Sequence, residues 1–137
     1  MMRRTWLALL FLSAGPLVAQ EDAEGLKTQG LKNGRWWAEQ RTENKIYYLV
    51  GVMDGAGYIL TRPNFKTNEP SVAEALRVYQ IKTIELVVEI DRFYNSEILN
   101  APIPVTAVLA FINKKATGTP EAELQKYTAE LRRRWNQ

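Results

Sequence analysis

The sequence predicts an all-α fold, a compact bundle of about five helices that follows a cleaved signal peptide. Three observations lead to this prediction. Apolar residues recur at three- and four-residue spacing over much of the chain, the N-terminus has the composition of an export signal, and there is no cysteine. Without disulfides, an exported fold must be stabilised by burying apolar side chains between its elements.

The first 19 residues are predicted to be a signal peptide. Arg3 and Arg4 provide a positive start, an apolar run over residues 6–12 follows, and Ala19 precedes the favoured cleavage point, with cleavage after Gln20 as the alternative. The apolar run is well short of the roughly 20 residues that cross a bilayer, so a membrane anchor is the less favoured alternative. We therefore expect a periplasmic or secreted protein without stable membrane insertion after cleavage.

The rest of the chain divides into a flexible lead-in at 20–32, with a short helix near 26–31, and a helical domain at 33–137. Loss of Arg3 and Arg4 lowers the formal net charge from +3 to about +1. Nucleic acid binding needs a concentrated basic surface, so this near balance excludes nucleic acid from the predicted partners.

Capping residues position the first helices. Asn33 is expected to cap a short helix that carries Trp36 and Trp37, and Thr42 to cap a helix over residues 43–60. The buried stripe of this second helix is predicted to consist of Ile46, Leu49, Val50 and Met53.

Two glycines four residues apart interrupt the helical propensity of the segment 43–60. Gly51 and Gly55 each cost roughly 1 kcal/mol relative to alanine, which predicts either close approach of another backbone or a break near Asp54. A phosphate-binding loop over residues 51–57 is the alternative. It would need a following lysine and a strand before it, so packing is the favoured interpretation.

The second half of the chain is predicted to contain a loop at 62–70, a short helix at 71–79 and a longer helix capped by Thr83. A strand at 84–88 is the alternative for that longer helix, but its apolar stripe continues past this segment at helical spacing. The stripe is Leu86, Val87, Ile90, Phe93 and Tyr94.

Prolines start the last two predicted helices, after a loop at 94–102. Pro104 begins a helix at 104–116 that Gly118 terminates, and Pro120 opens the final helix. Their predicted buried faces are Val108, Leu109, Phe111 and Ile112, and then Leu124, Tyr127, Leu131 and Trp135. The charges of the final helix suit its dipole, with Glu121 and Glu123 at the start and Arg132, Arg133 and Arg134 at the end.

The residue types that are missing limit the possible chemistry. Histidine and cysteine are both absent, which removes the commonest general base, the usual zinc ligands and thiol chemistry. We predict no catalytic residue, no metal and no cofactor. The remaining alternative is a cofactor-free carboxylate enzyme that uses Glu85, Glu89 or Asp91. These residues alternate with buried ones, which indicates the solvated side of an amphipathic helix.

Adjacent aromatic pairs are the predicted partner-binding residues: Trp36, Trp37, Tyr47 and Tyr48. Neighbours on a helix point in different directions, so one of each pair can be buried while the other is exposed. An exposed aromatic side chain can anchor a protein partner or stack on a sugar, and core packing is the competing interpretation. The predicted function is a non-enzymatic module that binds another envelope or secreted protein, with a homodimer possible. Binding of peptidoglycan or carbohydrate is the alternative.

Two segments resemble known proteins. Residues 45–55 (KIYYLVGVMDG) resemble the early helix of small exported helical proteins of the Tai type, immunity proteins that protect bacteria from peptidoglycan-amidase toxins. Residues 90–94 (IDRFY), with Asn100 and the segment 103–105 after them, are similar to a motif of exported bacterial helical proteins without assigned activity. The resemblance implies an all-helical periplasmic protein that acts by binding, as an immunity or inhibitor protein that could block another protein's active site.

Overall fold

Five α-helices and one short hairpin lie within the residues that the structure, a computed structural model, describes: 25–60 and 81–137. In chain order they are β1 (Lys27–Thr28), β2 (Leu31–Lys32), α1 (Gly34–Glu39), α2 (Thr42–Leu60), α3 (Thr83–Ser96), a 3-10 turn (Ile98–Asn100), α4 (Val105–Ala116) and α5 (Glu121–Trp135). The all-α prediction is confirmed. The predicted signal peptide, the loop at 62–70 and the helix at 71–79 lie outside the described residues.

A two-stranded antiparallel hairpin stands where a short helix was predicted near 26–31. Gln29 and Gly30 both have positive φ, 51° and 80°, which is the backbone of the two-residue turns that join twisted strands. The hydroxyl of Thr28 donates a hydrogen bond of 2.6 Å to the carbonyl of Pro102, far along the chain. The helix prediction was wrong because a glycine at the turn and this distant carbonyl outweigh a weak helical pattern.

Asn33 caps α1 as predicted. Its side-chain oxygen accepts hydrogen bonds from the backbone amides of Arg35 and Trp36, at 3.1 and 3.3 Å. Its side-chain nitrogen donates to Thr28, and its backbone pairs with Pro104 in an isolated bridge. Asn33 is therefore buried, and it joins the hairpin, α1 and the start of α4 at one point.

The predicted helix at 43–60 is confirmed as α2. The predicted cap at Thr42 was wrong: Thr42 lies inside the helix, and the carbonyl of Arg41 accepts the first helical hydrogen bond, from the amide of Lys45. Leu49 is fully buried, and the partly buried residues that pack on the core from α2 include Ile46, Val52 and Met53. Val50 is exposed, so its place in the predicted stripe was wrong. Successive helical residues are turned by about 100°, which points Val50 well away from Leu49.

The predicted break in α2 near Asp54 was wrong, and the alternative, close approach of another backbone, is not seen among the described residues. The helix continues without a break past Asp54, and a Cβ built on Gly51 or Gly55 would meet no atom within 4 Å. No backbone in the described part of the chain approaches these two positions. Within this structure, their helix-propensity cost is not explained by internal packing.

Helices α2 to α5 pack against one another in chain order around a single core. Residues 84–88 are helical, which confirms the predicted helix over the strand alternative. The predicted cap at Thr83 was wrong, because Lys82 occupies the cap position. Pro104 precedes α4, and Gly118 follows it with a φ of 83° that glycine readily adopts. The buried apolar residues of these helices include Leu86, Val87, Ile90, Phe93, Val105, Val108, Leu109, Ile112, Leu124 and Leu131. Four residues of the predicted buried faces, Tyr94, Phe111, Tyr127 and Trp135, are only partly buried.

Candidate functional site

Three of the four predicted partner-binding residues form one aromatic cluster between α1 and α2. The ring of Tyr48 lies 4.9 Å from that of Trp36 and 6.5 Å from that of Trp37, between centroids. The two tryptophan rings are 6.4 Å apart. These tilted and edge-on arrangements are the ones that aromatic quadrupoles favour, so the cluster holds the short helix α1 against α2.

Trp37 anchors this aromatic cluster in the core. Its side chain is 1% exposed, and its indole nitrogen donates a 2.7 Å hydrogen bond to Oδ1 of Asp91. The ammonium of Lys45 donates to the same oxygen at 2.8 Å. Trp37 is therefore enclosed by the fold. Asp91 was predicted on the solvated side of its helix, but it is partly buried and orients two residues of other helices.

Trp36 is partly exposed, but a cation covers one face of its ring. The ammonium of Lys32 lies 3.9 Å from the ring centroid of Trp36 and 5.3 Å from that of Tyr48. A sugar that stacked on this face would have to displace Lys32 and its cation–π attraction. The carbohydrate alternative stays a prediction, and this contact makes it less favoured.

Burial keeps two tyrosine hydroxyls neutral, those of Tyr48 in the aromatic cluster and of Tyr94 in α3. Burial raises the pKa of Tyr48 above its ordinary value of 10.0. Burial also raises the pKa of Tyr94, with a smaller contribution from Tyr48, and the Tyr94 hydroxyl donates to the carbonyl of Ile103 at 2.8 Å. The ring of Tyr94 packs on Gly34 so closely that a Cβ there would overlap it. Tyr94 therefore joins α1, α3 and the segment before α4.

Tyr47 is the one predicted partner-binding residue that is largely exposed, at 75%. Along α2 it shares a surface with Val50, Asp54 and Tyr58, which follow at helical spacing and are also exposed. Tyr58 is 61% exposed and lies eleven residues from Tyr47, just over three full turns. We call this surface the outer face of α2; it consists of Tyr47, Val50, Gly51, Asp54, Gly55 and Tyr58.

Glu89, one of the carboxylates of α3, makes two ion pairs. Glu89 pairs with Lys115 at 2.8 Å and with Arg92, and the hydrogen bond from Lys115 is the main reason that its pKa lies below the ordinary value. A general acid needs a raised pKa instead. Glu85 is exposed, one turn earlier. This arrangement gives the carboxylate-enzyme alternative no support, and that alternative stays a prediction.

A cleft of about 330 Å³ opens between the end of α3, the 3-10 turn and α5. Phe93, Phe111 and Leu124 form its apolar part, and Glu97 is paired with Arg132 at its polar end.

Among the described residues, no group of three or more acidic, histidine or cysteine side chains is placed to hold a metal ion. Within the same ranges, no helix combines the length and apolar character that a bilayer crossing requires.

No model of a known protein family matches the chain, and neither does any curated protein or solved structure. Sequence reasoning missed Tyr58, although its eleven-residue distance from Tyr47 already placed both on one side of the predicted helix. It also missed Lys32, four residues before Trp36, because the predicted lead-in at 20–32 placed it outside the helical domain.

Proposed function

We propose that this protein is an exported, non-enzymatic protein-binding module whose outer face of α2 receives a helix of its partner. One observation carries the proposal: two exposed tyrosines flank two glycines that no other element of the described ranges, 25–60 and 81–137, contacts. The N-terminal sequence supports export. The finer proposal of an immunity or inhibitor role rests on the resemblance of residues 45–55, which include most of this face.

The glycines give the outer face of α2 its shape. Gly51 and Gly55 remove side chains from the middle of the face, while Tyr47 and Tyr58 stand at its two ends, about 16 Å apart along the helix axis. A second backbone can approach closely at positions without a Cβ. A helix laid along this face would contact glycine backbone at its centre and tyrosine rings at its ends, and such rings are frequent anchors of protein interfaces.

The charge of the outer face of α2 indicates what the partner carries. Asp54 is the charged residue of this face, and along the helix axis it lies between Gly51 and Gly55. A lysine or arginine opposite it would pair with the carboxylate, whereas an acidic partner helix would be repelled. We therefore expect an amphipathic partner helix with small or apolar residues and a basic one at its centre.

Site-specific photo-crosslinking tests this proposal in the native envelope fraction. A photoreactive phenylalanine analogue would replace Tyr47 in one variant and Glu130, exposed on α5, in a control variant. We expect one discrete crosslinked protein from position 47 that is absent from position 130. A crosslinked species of twice the protein's own mass would identify a second copy as the partner. No crosslink at position 47, or the same products at both positions, would overturn the proposal.

Alanine substitutions then test whether the outer face of α2 is the contact surface, by the affinity of each variant for the purified partner. Gly51→Ala with Gly55→Ala should weaken binding by tenfold or more, because two methyl groups hold the partner backbone away. The matched control is Gly25→Ala, since Gly25 also lacks neighbours within 4 Å but lies outside this face. Equal affinity of both variants would show that the partner binds elsewhere.

A further inference from the structure

Asn33 and Gly34 form the only Asn–Gly pair of the sequence. Asparagine that precedes glycine is the least chemically stable asparagine in polypeptides, because the missing glycine side chain lets the backbone amide nitrogen approach the asparagine side chain. In this protein the pair lies where the hairpin meets α1, and both residues are buried, Asn33 with 1% of its surface exposed. A reactive peptide link is therefore enclosed at a junction of the fold.

The reaction open to this pair is deamidation, and it needs no enzyme. After the amide of Gly34 loses its proton, its nitrogen attacks Cγ of Asn33, and a new N–C bond closes a five-membered succinimide ring. The bond between Cγ and Nδ2 breaks, and the nitrogen leaves as ammonia, with the lost proton returned to it through water. A water molecule then opens the ring at either carbonyl carbon, which gives aspartate or isoaspartate at position 33.

The closed fold restrains both reacting groups. The backbone amide of Gly34 donates a 2.9 Å hydrogen bond to the carbonyl of Ala101, and hydroxide cannot remove the amide proton while that bond persists. The side-chain nitrogen of Asn33 donates to the carbonyl of Gly25 at 3.2 Å and to the hydroxyl of Thr28 at 3.0 Å. The side-chain amide is therefore fixed in place, and the nitrogen that would attack it keeps its proton.

This protection depends on the attachment of the hairpin to the segment before α4. The hydroxyl of Thr28 donates to the carbonyl of Pro102, and the amide of Gly34 donates to the preceding carbonyl, that of Ala101. Thr28 also accepts the hydrogen bond from the side chain of Asn33. Because the two carbonyls belong to consecutive residues, we expect opening of the hairpin to loosen the amide of Gly34 and to free the side chain of Asn33 together.

We propose that Asn33–Gly34 is a deamidation site that the attached hairpin protects and that each opening of the hairpin exposes to the reaction. The product changes the junction permanently. Aspartate and isoaspartate both lack the side-chain N–H groups that bond Gly25 and Thr28, and isoaspartate also lengthens the backbone by a methylene group. A deamidated molecule therefore keeps a loosened hairpin, and the site records past opening. This chemistry is independent of partner binding at the outer face of α2.

Incubation of the folded full chain at mildly alkaline pH tests the proposal, with peptide mass spectrometry to follow the conversion of Asn33. The same chain in urea gives the rate of this conversion without the fold. The protection of Asn33 is the ratio of the rate in urea to the rate in buffer. We expect it to match the protection of the Gly34 amide against hydrogen exchange under the same conditions, because one opening exposes both groups.

A matched pair of threonine variants tests the role of the hairpin. Thr28→Val removes the hydroxyl that attaches the hairpin, and it should speed both the deamidation of Asn33 and the exchange of the Gly34 amide about fivefold. Thr117→Val removes a similar hydroxyl-to-carbonyl hydrogen bond at the end of α4 and should change neither rate. Asn95, exposed on α3, is the internal reference and should deamidate at the same rate in both variants. Circular dichroism confirms that each variant is folded.

Asn33→Asp reproduces the aspartate product and should leave the Gly34 amide at least about fivefold less protected from exchange. Unchanged protection in this variant would overturn the permanent loosening of the hairpin. The proposal as a whole fails if Asn33 converts as fast in buffer as in urea, or if it stays intact while the Gly34 amide exchanges freely. It also fails if Thr117→Val accelerates the conversion as much as Thr28→Val does.

Discussion

The indole nitrogen of Trp37 and the carboxylate of Asp91 are joined by a 2.7 Å hydrogen bond across 54 residues of sequence. The same carboxylate oxygen accepts a hydrogen bond from Lys45 in α2. One partly buried carboxylate therefore connects α1, α2 and α3, and its two donors are themselves largely shielded from water.

Replacing Asp91 with alanine should destabilise the protein by about 1–3 kcal/mol, because the indole N–H and the Lys45 ammonium would both lose their acceptor. Urea unfolding followed by tryptophan fluorescence measures this. Asp54→Asn, at an exposed position on the neighbouring helix, is the control and should change stability by less than about 0.5 kcal/mol. Equal midpoints for the two variants would contradict the connecting role of Asp91.

Two glycine substitutions should act in opposite directions. Gly34→Ala places a methyl group in the ring of Tyr94, whose hydroxyl is held by Ile103, and should cost about 1–3 kcal/mol. The methyl group of Gly55→Ala would contact no other element of the described residues and lies inside a helix, so this substitution should stabilise the protein by about 0.5–1 kcal/mol. Thermal unfolding of both variants gives the comparison. A stable Gly34→Ala protein would mean that the Tyr94 ring can move aside.

The ion pair of Glu89 should make stability depend on pH in the acidic range. Its pKa is below the ordinary value of 4.5 in the folded protein, mainly because Lys115 donates a hydrogen bond to it. The stabilisation is therefore complete above pH 4.5 and is lost as pH falls through the lower folded pKa. Glu89→Gln should reduce the free energy of unfolding at pH 7 by less than about 1 kcal/mol, because the Glu89–Lys115 pair is partly solvated. The difference in stability between this variant and the unmodified protein should vanish in acid.

A double-mutant cycle identifies the cause of this pH dependence. If Lys115 is responsible, Lys115→Gln should remove most of the effect of Glu89→Gln, whereas Glu130→Gln on α5 should leave it unchanged. Urea unfolding at pH 7 and at pH 3 provides the free energies. Additive effects of the two substitutions would assign the lowered pKa to another group.

Asn100 should be the most sensitive polar residue near the 3-10 turn. It is fully buried, its side-chain nitrogen donates to the carbonyl of Phe93 at 2.7 Å, and its oxygen accepts from Arg132. Asn100→Ala leaves that guanidinium nitrogen without its acceptor, while the carbonyl of Phe93 keeps the hydrogen bond from the Ser96 hydroxyl, and should cost about 1–3 kcal/mol. Asn95→Ala, at an exposed site of α3, should change the free energy of unfolding by less than about 0.5 kcal/mol in the same denaturation experiment.

The sequence predicted those parts of the fold that local physics controls. Helix periodicity and the caps at Asn33, Pro104, Gly118 and Pro120 depend on neighbouring residues, and these predictions were confirmed with shifts of a residue or so at helix ends. The hairpin was missed because its stability comes from a contact between Thr28 and Pro102 that no local pattern contains. The burial of Val50 was wrong because spacing defines a stripe but not the rotation of a helix toward its neighbours.

The candidate site was predictable to a lesser degree. Aromatic pairing indicated that Trp36, Trp37, Tyr47 and Tyr48 would divide between core and surface, but not which member would be exposed. That choice depends on partners supplied by other elements. Asp91 draws Trp37 inward, and Lys32 of the hairpin covers Trp36, and neither relationship can be read from the spacing of residues along α1.

The contact of Thr28 with Pro102 also bears on the order in which the molecule assembles. Helices α3, α4 and α5 follow one another closely in sequence, so their mutual packing closes short loops. The hairpin must instead find a carbonyl 74 residues away. We infer that the three-helix unit forms first and that the hairpin attaches to a surface already built. In the native state the hairpin should then open while the three-helix unit stays folded. Amide hydrogen exchange would show this as lower protection of Thr28 and Asn33 than of Ile90.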